Sequence, residues 1–277
     1  MTGLNPTNEQ RSSGAAASAL AIELVGINKH FGPVHANKDI HLAVKRGTVH
    51  GIVGENGAGK STLMNIICGK LHPTEGELFR DGKPVSFSSP IDAQAAGIAI
   101  APQEVNLVPL LSAAENILLG AQVRGRAGID WKQTRAKAVE SLAQIDESID
   151  PDVPVENLSK AQQQLVQIAR AVATSADILI FDEPTAALTS RETEHFFDFV
   201  HRFRDRGGAV FYISHRLEEI LELSDRITVL RDGQFVVELD PKKTDKDEMV
   251  RHMAGRALNA KVRTDHAERD DEVVLSV

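Results

Sequence analysis

At 277 residues, with 42% hydrophobic and 25% charged side chains, the chain has the make-up of an ordinary folded protein of one large or two small units. Its 39 Asp and Glu against 31 Lys and Arg leave a formal net charge of -8, which argues against a nucleic-acid partner, because polyanion binding runs on a basic surface that releases counterions. The single cysteine, Cys68, allows no intrachain disulfide and suits a reducing compartment such as the cytoplasm, and no apolar run reaches the roughly 18 residues of a membrane span.

In chain order, residues 1–18 are rich in Ser, Ala, Asn and Thr and read as a disordered tail. "AAASALAIELVGI" does not read as a signal peptide, since Arg11 is the only basic residue before it and Glu23 interrupts the apolar run. "AIELVGI" and "DIHLAV" alternate like half-buried strands, and "GELFRDGKPV" predicts a hairpin around Asp81-Gly82; together these predict a small antiparallel β subdomain. Five buried-strand runs follow, "TVHGIVG", "GIAIAPQ", "ADILIFDEP", "GAVFYISH" and "RITVLRDG", separated by helical patterns. That alternation predicts an α/β fold around a largely parallel sheet.

Between Gln103 and Gln164 the strand pattern stops. "SAAENILLGA" and "DWKQTRAKAVESLAQI" read as helices with an apolar face, the second opened by an Asp130–Gln133 capping box. A helical insertion over about 104–165 is therefore expected, inside a domain covering 19–256. After Asp240 the charge density rises, "NAKVRTDHAERDD" reads as a linker, and "EVVLSV" echoes the opening strand as if a second domain were beginning within 257–277.

"GENGAGKST" matches the pattern GxxxxGK[ST] at Gly54, Gly59, Lys60 and Ser61, with an apolar strand before it and a helix after it, as the motif requires. Gly54, Gly57 and Gly59 let successive backbone N–H groups turn toward a β-phosphate at a helix N-terminus. Lys60 is expected to reach the β- and γ-phosphates and Ser61 to hold Mg²⁺. Asp182 ends the strand "ILIFD", where its carboxylate can also serve Mg²⁺, and Glu183 beside it can act as general base toward a water. Gln103 and His215 follow two other strand runs and belong at the same carboxyl edge, where open α/β sheets bind ligands.

The glycine loop, Gln103, "LSKAQQQ", "FDEPTAAL" and "ISH", in this order and spacing, resemble the nucleotide-binding subunit of an ABC transporter over residues 20–256. The resemblance implies a P-loop NTPase core of RecA-like type with antiparallel β and helical subdomains. It also implies ATP and Mg²⁺ as ligands, ATP hydrolysis as the activity, and a nucleotide site formed by Phe31, stacking on adenine, with Gly54, Glu55, Asn56, Gly57, Ala58, Gly59, Lys60, Ser61 and Thr62. Gln103 then becomes the Mg²⁺ and water sensor, His215 the γ-phosphate switch, and the loop from Ala186 to Thr189 the crossing to the other half. "GIAIAPQEVNLVPLLSAAENILLG", "DEPTAALTSRE", "ISHRLEEI" and "MAGRAL" are similar to the ATPases of simple-sugar importers, where two such domains are fused. The implied partners are a second ATPase half, fused or homodimer-like, membrane permease subunits and, indirectly, a periplasmic sugar-binding protein. The implied location is peripheral, on the cytoplasmic face of the inner membrane. A nucleoside importer ATPase, a non-transport ABC ATPase working as a mechanical switch and a regulatory module without turnover are the alternatives.

Two places depart from that pattern. Thr189 stands where the family usually has Asp, and with Glu192 it reads as a capping box. Lys160 and Ala161 replace both glycines of the LSGGQ signature, while Ser159 and Gln162 again form a capping box. A helix start with a Ser hydroxyl still favours an anion by about 0.3–1 kcal/mol. Ser159 and Gln162 are thus expected to face a nucleotide held by the opposite half, giving a working site on this chain and a weaker one across the interface.

Overall fold

The computed structural model describes residues 20–126 and 128–255; the tail expected at 1–18 and the linker and second-domain start expected at 257–277 lie outside the described residues. Strands β1 (Leu20–Phe31) and β2 (Val34–Lys45) pair as an antiparallel hairpin with Phe31 opposite Val34. Both run well past "AIELVGI" and "DIHLAV", because register shifts around Leu24–Ile27 and again near Lys29 let pairing continue through polar residues. β3 (Val49–Val53) is buried along its whole length and leads into helix α1 (Lys60–Ile67). β4 (Glu75–Arg80) and β5 (Lys83–Val85) form the expected hairpin, with both Asp81 and Gly82 at positive φ, as a two-residue primed turn requires.

After α2 (Pro90–Ala95) and β6 (Ile98–Ala101), the chain enters the insertion. Its first helix, α3 (Ala113–Ile117), is five residues long and shorter than "SAAENILLGA" suggests. A small hairpin, β7 (Arg124–Gly125) with β8 (Gly128–Ile129), interrupts the helical pattern before α4 (Trp131–Ala143). Asp130 does cap α4, accepting from Gln133 N at 2.9 Å. The reciprocal half of the box is missing: Gln133 Nε2 returns to the Asp130 carboxylate, since the Asp130 N–H is already given to Val123 O.

Helix α5 (Lys160–Val172) carries on past residue 165, and its Leu165, Val166, Ile168 and Ala169 join the core of the main sheet. Then follow β9 (Ile178–Asp182), α6 (Ser190–Asp205), β10 (Ala209–Ile213), α7 (Leu217–Leu223), β11 (Arg226–Arg231), β12 (Gln234–Leu239) and α8 (Lys246–Ala254).

Two sheets result. The first has the order β2-β1-β4-β5 and the second β12-β11-β3-β10-β9-β6. All five runs read as core strands are the parallel strands of the second sheet. β12 is an added antiparallel edge strand; half exposed, "QFVVEL" lacks the continuous apolar signal of its neighbours. The period-2 alternation sends Ile178, Ile180 and Phe211 to one face, where Leu63 and Ile66 of α1 fill the space beneath β1 and β2. Leu179, Phe181, Val210 and Tyr212 go to the other, against Phe196 and Phe197 of α6. Because β3, β10, β9 and β6 are neighbours and parallel, their carboxyl ends, and the loops that follow, meet along one edge.

Candidate functional site: a cleft at the carboxyl edge of the parallel sheet

The glycine-rich loop between β3 and α1 is held by its neighbours. Asn37 of β2, fully buried, donates its side-chain amide to Gly59 O at 3.1 Å. Gly233, in the β11–β12 turn, donates its N–H to Ala58 O at 3.3 Å and accepts from Lys38 N at 2.7 Å. Lys60 Nζ folds back over the loop, donating to Gly54 O at 2.6 Å and Glu55 O at 3.0 Å. Burial pushes the Lys60 ammonium below the usual lysine range, while Asp182 and Glu183 pull it back up.

Facing this loop is the end of β9. Glu183 Oε2 accepts from Gln103 Nε2 at 3.0 Å and lies 3.2 Å from His215 Nδ1, so residues following β6, β9 and β10 converge on one carboxylate oxygen. Glu183 has a φ of 51°, uncommon for a residue with a side chain, and its N–H is anchored on Ile213 O at 2.8 Å. Asp182 is half-buried; desolvation first, and the charge of Glu183 second, push its carboxyl above the ordinary range against the pull of Lys60. Together Asn56 to Thr62, Gln103, Asp182, Glu183 and His215 line a single cleft of about 1020 Å³, completed by Val34, His35, Ala36, Lys38, Asp232 and Gly233.

A raised carboxyl pKa means that the ionised form of Asp182 is less stable in the fold than in the open chain, so this group works against stability above its unfolded pKa and ceases to do so as pH falls. Asp182→Asn is therefore expected to raise the Tm of the ligand-free protein by roughly 1–3 °C at neutral pH, with the difference shrinking toward pH 4 in thermal scans. A lower Tm for the variant at pH 7 would show that Asp182 is structurally needed.

Not every expected residue reaches the cleft. Gly54 and Glu55 stand behind its wall and act through the carbonyls that Lys60 grips. Phe31 lies outside the lining, 46% exposed, with Lys29 Nζ 5.1 Å from its ring centroid. The hairpin instead presents Val34 and His35 to the cleft, His35 stacked on His30 with ring centroids 3.8 Å apart. Ser159 and Gln162, expected to face a nucleotide on the opposite half, lie outside this lining. They start α5 as a reciprocal capping box, Gln162 N donating to Ser159 Oγ at 3.2 Å and Ser159 N to Gln162 Oε1 at 3.0 Å. Thr189 and Glu192 cap α6 in the same way.

Among the polar residues that escaped the sequence reading are His35, Lys38 and Asp232 of the lining and two buried supports behind it. One is Asn37; the other is Gln167 of α5, buried, which grips the backbone on both sides of Gln103. Its Nε2 donates to Pro102 O at 2.7 Å and Glu104 O at 3.1 Å, and its Oε1 accepts from Asn106 N at 2.7 Å. The only signal was a glutamine on a buried helical face.

A glycine loop between an interior strand of the parallel sheet and a helix, an acid pair on a nearby strand, an added antiparallel sheet and a helical insertion define a P-loop NTPase core of the ATP-binding-cassette type. The chain belongs to the ABC transporter family, whose model matches residues 37–186. It is 49% identical over 257 residues to the ribose import ATP-binding protein RbsA 2 of Rubrobacter xylanophilus, covering 92% of this chain and 49% of that protein. It is 42% identical over 262 residues to the putative ribose/galactose/methyl galactoside import ATP-binding protein 1 of Agrobacterium fabrum, covering 95% of this chain and 52% of that one. The chain thus spans about half the length of the curated relatives it matches. Among solved structures, the ADP conformation of an ATP-binding cassette of an ABC transporter superposes with a TM-score of 0.75 at 26% identity, over 86% of this chain and 99% of that one.

Proposed function

We propose that this chain binds ATP with Mg²⁺ in the cleft, hydrolyses it, and so drives uptake of a sugar through membrane permease subunits, from a peripheral position on the cytoplasmic face of the membrane. The observation that carries the chemistry is the meeting of Lys60, Ser61, Gln103, Asp182, Glu183 and His215 in one cleft. The relatives named for ribose and galactose import support the sugar, delivered by a periplasmic binding protein.

The donor set fits Mg²⁺, which is commonly held by one or two protein groups plus phosphates rather than by a full protein cage. Ser61 and Asp182 would hold it, and Gln103, whose Nε2 is given to Glu183, keeps Oε1 for it or its water. The strained charge on Asp182 is what a cation relieves. Bound there, Mg²⁺ would neutralise charge on the phosphate oxygens. The protein supplies the rest. Lys60 exchanges the carbonyls of Gly54 and Glu55 for phosphate oxygens, and the loop's N–H groups take the others. Glu183 accepts a proton as water attacks the γ-phosphorus; the bond from that phosphorus to the ADP oxygen breaks, giving ADP and phosphate. Gln103 and His215 fix the base, and His215 Nε2 remains for the γ-phosphate.

The chain's Ser159 and Gln162 serve a second ATPase half in this reading, with the Ala161 methyl placed where a backbone must come close to phosphate. In the assembled transporter, Ala161→Gly is expected to raise turnover roughly two- to fivefold at the site on the opposite half, read as ATP hydrolysis in a background carrying Glu183→Gln. Activity left high by Glu183→Gln alone would place the working site on the other half.

The test of the whole proposal is reconstitution with permease and binding protein in proteoliposomes. ATP hydrolysis is expected to rise when the binding protein carries its sugar. Stimulation by nucleoside and not by sugar would select the nucleoside importer, and nucleotide binding without turnover in that assembly would overturn the ATPase reading.

A further inference from the structure

Behind the cleft, and outside its lining, a buried carboxylate gathers four side chains. Glu219 of α7 is 9% exposed. The Thr185 hydroxyl donates to both of its oxygens, at 3.0 Å and 2.8 Å, the Tyr212 phenol donates to Oε2 at 2.6 Å, the Ser214 hydroxyl donates to Oε2 at 3.1 Å, and Arg216 NH1 donates to Oε1 at 3.1 Å. Thr185, Tyr212 and Ser214 are themselves buried. A carboxylate this far from water is tolerated only when its lone pairs are used, and here they are. Burial, and after it Glu219, push the Tyr212 phenol above its ordinary range, so that the phenol stays a donor.

The donors fall at telling places in the chain. Thr185 follows Glu183 by two residues, and Ser214 immediately precedes His215. Glu219 therefore ties the segment that carries the general base to the segment that carries the histidine. Besides the side-chain approach, the parallel pairing of β9 with β10 and the bond from Glu183 N to Ile213 O join the two segments, and that bond sits at the uncommon positive φ of Glu183.

We propose that Glu219 is a positioning residue for hydrolysis: its carboxylate sets the spacing and orientation of Glu183 and His215 without touching the nucleotide. This rests on the ATPase reading above. Glu219→Gln keeps the shape but replaces one acceptor oxygen with an N–H₂ group aimed at hydroxyl donors, so the clamp loses its geometry while the cleft's phosphate-binding wall is untouched.

The experiment compares wild type, Glu183→Gln, Glu219→Gln and His215→Ala, singly and with Glu219→Gln combined with His215→Ala, in the assembled transporter for kinetics and in the full chain for spectroscopy. Glu219→Gln is expected to lower kcat about 10- to 100-fold with KM for MgATP within about twofold, since a displaced base affects the transition state more than binding. The double variant is expected to lose little beyond His215→Ala alone, the signature of two residues acting as one unit. The ring ¹⁵N resonances of His215 are expected to move in Glu219→Gln toward those in Glu183→Gln. Unchanged kcat and unmoved His215 resonances would overturn the inference, as would fully additive losses. If Glu219→Gln does not fold, the pair Tyr212→Phe and Ser214→Ala removes two donors with the charge in place, and unaltered kcat there overturns the inference equally. Wild type that binds MgATP without hydrolysing it in the assembled transporter would instead count against the ATPase reading, and leaves the two failures distinguishable through the His215 resonances.

Discussion

Glu183→Gln is expected to lower the rate of ATP hydrolysis by roughly 10²- to 10⁴-fold, with nucleotide affinity within about threefold of wild type. The amide has the size of the carboxylate and cannot accept a proton from water. Its own donors would also meet Gln103 Nε2, which donates to Glu183 Oε2 at 3.0 Å, so one of the two amides must turn. Neither change touches the loop from Asn56 to Thr62 or the Lys60 ammonium, which line the same cleft and in the proposed function hold the phosphates. Equilibrium binding of a fluorescent ATP analogue and steady-state phosphate release separate the two effects. A variant that binds and hydrolyses like wild type removes Glu183 from the chemistry and moves the base elsewhere.

The second large effect lies in the loop's backbone. A Cβ on Gly54 would fall inside the envelope of the Leu230 carbonyl oxygen and 2.9 Å from Ala58 Cβ. Leu230 belongs to β11, a strand paired on both sides, with β12 and β3, and cannot step aside without disturbing its ladder. Gly54→Ala is expected to destabilise the fold by about 3 kcal/mol, at the upper end for overpacking, and to weaken nucleotide binding because Gly54 O also seats Lys60. Gly57→Ala is the matched control: a Cβ there meets nothing within 4 Å, leaving only the strain of its positive φ, about 1–2 kcal/mol. Denaturant midpoints of the two variants measure the difference. Equal losses would mean that the tight approach to β11 carries no weight.

What could be read from the sequence follows how local each device is. The loop "GENGAGKST", the acids after "ILIF" and the capping boxes at Ser159 and Thr189 are written in consecutive residues, so spacing alone exposes them. Gln103 and His215 were legible because buried strands announce their ends, and parallel ends share an edge. β12 was hidden because an exposed edge strand lacks an unbroken apolar run. Asn37, Gln167 and Glu219 were silent for another reason: each is a polar residue on a buried face, and its partners lie across the fold, at Gly59, at the backbone beside Gln103 and at Thr185. The aromatic Phe31 shows the converse, a residue type that matched its expected task while the hairpin turned Val34 and His35 toward the cleft.

The grip of Gln167 on the segment around Gln103 has a mechanical consequence. Three hydrogen bonds from Gln167 and one from Arg170 to Asn106 O bind that segment to α5, each worth about 0.5–1.5 kcal/mol net, so Gln103 cannot leave Glu183 as a lone fluttering loop. It moves with the rod to which it is pinned. Eight residues along that rod, about 12 Å at helical rise, stands Ser159. Were α5 to pivot near Gln167, Ser159 at its far tip would travel further than Gln103 itself.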